Sequence, residues 1–262
     1  MNKLKTSDSI QTISFIGAGN VATQMAKNLY QKGFKIKQIY SRTEASAVLL
    51  SQQVEAKFTT SLKEISSDVD LIVISVNDKA LIEITPSLDL GQTLTVHTGG
   101  SIPMSQLEGV SSRIGVIYPL QTFTKSHDIS FEKLPLCVEA NNEKDLKDLL
   151  SLSKRLSTKV ASVSSKQRKT IHLAAVFACN FSNHMLAIAD EILTQEDLEL
   201  GLLQPLVEET ITKAFTITPK KGQSGPAIRR DDNVINEHLK RLEKHPDFSD
   251  IYKKISNSIQ NI

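Results

Sequence analysis

The run Ile13-Ser14-Phe15-Ile16-Gly17-Ala18-Gly19-Asn20-Val21-Ala22 carries the spacing G-x-G-x-x-A. It follows an apolar, strand-like stretch and opens a helix-like one, the context in which this spacing binds the pyrophosphate of a dinucleotide. Gly17 permits a tight turn, Gly19 lets backbone approach phosphate, and Ala22 allows close packing of helix on strand. Ala18 lies between the two glycines, and the amides of Asn20 and Val21 then point at phosphate from the helix N-terminus.

About 20 residues further on, a dinucleotide site of the NAD type places an acid against the ribose 2′-hydroxyl. This chain has Ser41, Arg42 and Thr43 there instead. Hydroxyls and a guanidinium suit a 2′-phosphate through charge-assisted hydrogen bonds, which points to NADP. The bland alternative is a solvated arginine, with Ser41 and Thr43 capping the next helix. Two further loops, Val76-Asn77-Asp78 and Val96-His97-Thr98-Gly99-Gly100-Ser101, follow later strands and belong beside the same cofactor. Asn77 and Asp78 serve equally well as helix caps. His97 and Thr98, next to two glycines, suit close approach to the nicotinamide.

A proton source is sought on the segment from Lys166 to about Leu193, which contains neither Gly nor Pro and reads as one helix of roughly 40 Å. Its apolar residues lie on several sides, so burial between neighbours is expected. His172, Cys179, Asn180, Asn183 and His184 interrupt it. At ~100° per residue, Cys179 and Asn183 share the face of His172. His172 is the candidate proton donor, while Asn180 and Asn183 are candidates to orient a substrate. A satisfied structural histidine is the competing reading, and Cys179 reads as packing. The loop from Lys221 to Asp232 offers Arg229 and Arg230 for a carboxylate, or for pairing with Asp231 and Asp232. The segment from Tyr118 to Phe123 is a further candidate for the wall of a cleft.

Other chemistries find no support. Six histidines and two cysteines, Cys137 and Cys179, show no metal-ligand spacing and no CxxC pair. There is no G-x-S-x-G elbow and no P-loop. Glu208 and Glu209 are adjacent on a helix and diverge as surface charges.

The elements that would position these residues form an α/β pattern. Strands are expected at Ile13–Ile16, Lys35–Tyr40, Leu71–Val76, Thr93–Val96, Ile114–Tyr118 and Leu136–Glu139, with weaker ones at Ala56–Thr59 and Lys159–Val163. Helices starting at Val21, Glu44 and Asp78 cross over between them, which predicts a doubly wound, mostly parallel sheet over residues 1–163. Residues 164–262 read as an all-α domain, with helices at Gln204–Phe215 and Asn233–Lys244 after the long one. The composition is globular: 40% hydrophobic, 23% charged, with 31 basic against 29 acidic residues. That balance gives no global field for nucleic acid or an anionic membrane. No apolar run approaching 20 residues is expected to span a bilayer, and the start of the chain lacks a signal-peptide pattern. A soluble protein in a reducing, cytoplasmic compartment is expected.

Taken together, GAGNVA, SRT, VHTGGS, YPLQTF, IHLAAVFACNFSNHM and QSGPAIRRDD resemble a family of NADP-binding oxidoreductase-like proteins. That family has a Rossmann-like N-terminal domain and a helical C-terminal domain of unknown function. More distantly the chain is similar to pyrroline-5-carboxylate reductases, β-hydroxyacid dehydrogenases and deazaflavin-dependent NADP reductases. The resemblance implies a homodimer formed through the helical domain, an active site between the domains, and NADP contacts at Gly17–Val21 and Ser41–Thr43. The β-hydroxyacid dehydrogenases carry a catalytic lysine four residues before an asparagine; here Val176 precedes Asn180 at that spacing, so that chemistry does not carry over. The expected activity is reduction of a small polar carbonyl or imine. The alternative is a non-catalytic NADPH-sensing protein whose helical domain engages a partner.

Overall fold

The computed structural model describes residues 10–124 and 128–261. The stretch 1–9, read above for a leader, lies outside them. The strands are β1 Thr12–Ile16, β2 Lys35–Tyr40, β3 Lys57–Thr59, β4 Leu71–Ile74, β5 Leu94–His97, β6 Ile114–Pro119, β7 Leu136–Ala140 and β8 Val160–Ser162. They form one sheet in the order β3-β2-β1-β4-β5-β6-β7-β8. Every pairing is parallel except β6 with β7. β4, between β1 and β5, is buried along its whole length. That is why it reads as an unbroken apolar run rather than an alternating one. The crossover helices are α1 Asn20–Gln31, α2 Glu44–Gln53, α3 Asp78–Ile84 and α4 Glu143–Leu156. Ala22 is fully buried in the apolar cluster that also holds Ile13 and Phe15, so no larger side chain fits where α1 meets β1. The fold is a Rossmann-like, doubly wound sheet followed by helices.

α4 was not anticipated, because nine of its 14 residues are charged or polar and interrupt its apolar stripe. Two features start it. Asn142 Oδ1 accepts from the Asp145 amide (2.9 Å), and the buried Asp145 carboxylate pairs with Arg113 at the head of β6. Arg113 holds that carboxyl below its ordinary range in spite of burial.

By compactness the chain divides into 1–176 and 177–262. The division falls inside the long helix and not at residue 163, where sequence character changes. The helix runs from Ser165 to Thr194 as α5 Ser165–Ala175, a π-helical turn Val176–Phe181, and α6 Ser182–Thr194. By length and composition alone its 30 residues would suffice to cross a membrane, a test that helices of soluble proteins also pass. Two expectations about it are corrected. First, it is not buried: none of its most apolar window is covered within the chain, and Cys179 is exposed, not packed. Second, the wide π turn breaks the uniform 100° step, so the shared face expected for His172, Cys179 and Asn183 does not hold across it.

The second unit adds α7 Gln204–Ile217, α8 Pro219–Gly222, α9 Pro226–Arg229, α10 Asp232–Arg241 and α11 Pro246–Gln260. α11 was not foreseen. Among the described residues of this unit only Ala227, Ser249 and Ser256 are buried. A 240 Å³ apolar cavity lies among α6, α9 and α11.

Candidate active site

Parallel strands deliver their connecting loops to one edge of the sheet, and ligands bind beyond the carboxyl ends of such strands. Here the loops after β2, β1, β4 and β5 line one cavity of about 630 Å³ in the first unit. The turn after β1 forms its floor. Gly17 has φ of +124°, and a Cβ built there would sit 2.1 Å from the Ser75 carbonyl oxygen, so only glycine fits. The space over Gly19 is the reverse case: an added Cβ would meet nothing within 4 Å. Ala18, Asn20 and Val21 complete this part of the wall. The first amides of α1 have no partner within the helix, and the Gly19 N-cap supplies no side chain to satisfy them. An open space at an uncapped helix N-terminus, beside a glycine that needs no room of its own, fits a pyrophosphate.

At one end of the cavity stand Ser41, Arg42 and Thr43. Thr43 occupies the N-cap of α2 but makes no capping hydrogen bond. Its amide donates instead to Ser41 Oγ (3.4 Å). Arg42 is exposed and has no hydrogen-bond or ion-pair partner among the described residues, so its donors are available to an anion.

Val76, Asn77 and Thr98 line the middle and far end. Both readings of Asn77 apply, since its Oδ1 also caps α3 by accepting from the Ala80 amide (2.8 Å). Thr98 Oγ1 donates to Ser75 Oγ (3.0 Å). His97 is a correction: it lines no part of the cavity. It is fully buried, and burial, reinforced by the Arg168 guanidinium, pushes its pKa down to about 4. Its Nδ1 accepts from the Gly99 amide (3.0 Å), so Nε2 carries the proton and donates to the Pro103 carbonyl (3.3 Å). The ring braces its own turn instead of facing a ligand.

Gly100, at the cavity wall, brings in the reaction candidate. A Cβ on Gly100 would lie 2.7 Å from His172 Nδ1 and 2.8 Å from Tyr118 Cζ. The loop therefore rests directly on a hydrogen bond, 3.1 Å long, between the Tyr118 hydroxyl and His172 Nδ1. The rings meet edge to face. Tyr118 was read only as cleft wall; its pairing with a histidine 54 residues away has no local signature. Asn180 and Asn183 belong to the second unit and are exposed. Arg229 and Arg230 are exposed too, and Asp231 caps α10 through the Val234 amide (3.3 Å) in place of pairing with them. Glu209 pairs with Lys213 on the surface of α7, as adjacent helix acids should.

Missed altogether was Arg168, which is fully buried. Its guanidinium pairs with Glu139 and donates to the Gly99 and Ile102 carbonyls. In sequence it hides in the charged run Lys166-Gln167-Arg168-Lys169, although it stands one helical turn before His172, on the same face.

Residues 12–97 match the family model "NADP oxidoreductase coenzyme F420-dependent", and residues 134–259 match a domain of unknown function. The crystal structure of "putative NADP oxidoreductase BF3122 from Bacteroides fragilis" is 43% identical over 97% of this chain and 99% of that one, with a TM-score of 0.91. An imine reductase from Myxococcus stipitatus in complex with NADP+ shares the fold at 15% identity (TM-score 0.66; 95% and 93% covered). So does a 1-pyrroline-5-carboxylate reductase from Streptococcus pyogenes, at 14% identity (TM-score 0.62; 98% and 100% covered). No curated protein matches the chain. The chain belongs to the NADP oxidoreductase family of the Bacteroides fragilis protein, and NADP is the cofactor of that family.

Proposed function

We propose that the protein reduces a small polar carbonyl or imine with NADPH. The observation that carries this is the single cavity running from Arg42, past the Gly17–Gly19 turn, to Gly100 with the Tyr118–His172 pair against it. In this reading Arg42 with Ser41 and Thr43 holds the 2′-phosphate, and Asn20 and Val21 hold the pyrophosphate. Thr98 and Val76 flank the nicotinamide end. Bound NADPH supplies the hydride. The proton needed by the reduced oxygen or nitrogen would come from His172, whose Nδ1 is held by the Tyr118 hydroxyl, and His172 would be reprotonated from solvent. Histidine is the side chain best suited to proton transfer near neutral pH.

The test is NADPH oxidation across a panel of small ketoacids, aldehydes and cyclic imines. His172→Ala abolishing turnover while NADPH affinity stands supports the reading. NADPH binding with no oxidation on any panel member would favour the sensing alternative.

We further propose a cytoplasmic homodimer built on the helical unit. Leu202, Leu206, Ile211 and Phe215 of the α7 region are half or more exposed, Phe215 at 90%. A unit with so little buried apolar surface lacks a hydrophobic core of its own. A second copy covering these faces supplies one, and sedimentation of the full chain at micromolar concentration reads the stoichiometry.

A further inference from the structure

The turn 98–103 is tied on both sides by side chains that do not line the cavity. From one side, neutral His97 takes the Gly99 amide and gives to the Pro103 carbonyl. From the other, Arg168 Nε donates to the Gly99 carbonyl (3.2 Å) and Nη2 to the Ile102 carbonyl (2.6 Å). Ser165 Oγ accepts from the Met104 amide (3.0 Å) and from Arg168 Nη2 (3.2 Å), and donates to Glu139 Oε2 (2.8 Å). Glu139 completes the set by pairing with Arg168 Nη1.

A buried charge pair is a costly way to gain stability, since apolar residues of equal volume often serve better. What a guanidinium adds is direction: several donors in one rigid fork, aimed at fixed acceptors. Those acceptors are backbone carbonyls of the turn whose Gly99 and Gly100 form the cavity wall. The same helix turn that holds Arg168 places His172 four residues later against Gly100.

We propose that Arg168, neutralised by Glu139, is a positioning residue for the nicotinamide end of the cofactor site. It fixes the height of the Gly99–Gly100 backbone over the cavity and locks His172 to it. The inference rests on the reading of the cavity as a dinucleotide site. In the strand order, the loop after β5 lies three strands from the loop after β2 that carries Arg42, so the two ends of a dinucleotide report on different loops.

The full chain and its Arg168→Met, Arg168→Lys and Glu139→Gln variants are titrated with NADPH and with adenosine 2′,5′-bisphosphate, the fragment that lacks the nicotinamide. Arg168→Met is expected to lose roughly tenfold or more in NADPH affinity, the scale of hydrogen bonds to a charged group. Its affinity for the fragment stays within about twofold of wild type, with Arg168→Lys between the two because an ammonium replaces only part of the fork. Equal loss for both ligands, or loss for neither, overturns the proposal. Wild type binding neither ligand overturns the dinucleotide reading first, and this inference with it. If Arg168→Met does not fold, Ser165→Ala gives the same split in smaller measure, and its absence there is equally fatal.

Discussion

Histidine 97 makes the clearest quantitative statement about this fold. In the unfolded chain its imidazole titrates at the ordinary 6.5, whereas in the native structure burial and the Arg168 charge bring it down to about 4. Between those pH values the unfolded state binds the proton and the native state does not, so stability rises with pH. The contribution of the neutral ring is complete above about 6.5 and is lost as pH falls to about 4. At about 1.36 kcal/mol per pH unit, the drop is worth roughly 3 kcal/mol. His97→Asn removes the titration while leaving an oxygen able to accept from the Gly99 amide. Urea denaturation of both proteins at pH 7.5 and pH 4 is the assay. Carboxylates titrate alike in the two, so their effects cancel in the difference. The variant is expected to be the less stable at pH 7.5, and the gap should narrow by roughly 3 kcal/mol at pH 4, equivalent to about 6–12 °C in Tm. A gap independent of pH would refute the claim that a buried neutral imidazole braces this turn.

Gly17→Ala puts a methyl 2.1 Å from the Ser75 oxygen on a backbone with positive φ, and is expected to abolish NADPH binding with a marked drop in Tm. Gly100→Ala forces apart the Tyr118–His172 pair; turnover should fall at least about tenfold while the affinity for adenosine 2′,5′-bisphosphate is retained. Tyr118→Phe removes only the hydroxyl and should lower kcat more than it raises KM. Phe215→Glu places a charge at the exposed aromatic of α7, and is expected to convert the proposed dimer to monomer in sedimentation velocity.

Which of these features could be read from the sequence follows from the range of the forces involved. Every strand of the sheet was found within about two residues, because short apolar or β-branched runs stand between turn residues, and the central β4 is an unbroken apolar run. The glycine turn and Ser41–Thr43 were equally plain, since they are local backbone and charge requirements. α4 and α11 were not, although both are amphipathic: seven of the 14 residues of α4 are charged, and Ser and Asn interleave the apolar stripe of α11. The π turn at Val176–Phe181 leaves no compositional mark, and it undid the face assignment for Asn183. Arg168 and Glu139 are 29 residues apart, and a charge among lysines reads as solvated until the structure shows it buried. His97 was placed at the cofactor because a polar residue beside two glycines looks like a ligand. Only the fold shows that both ring nitrogens are already taken by its own turn.

In the proposed function the cavity is an NADP site with Arg42 at the 2′-phosphate. Fluorescence titration of the purified protein with NADPH and NADH, wild type against Arg42→Ala, tests this directly. The expected result is a preference for NADPH of roughly 10- to 100-fold in wild type, the scale of charge-assisted hydrogen bonds, lost in the variant while NADH affinity is unchanged. Equal affinity for the two cofactors in wild type, or binding of neither, would contradict it.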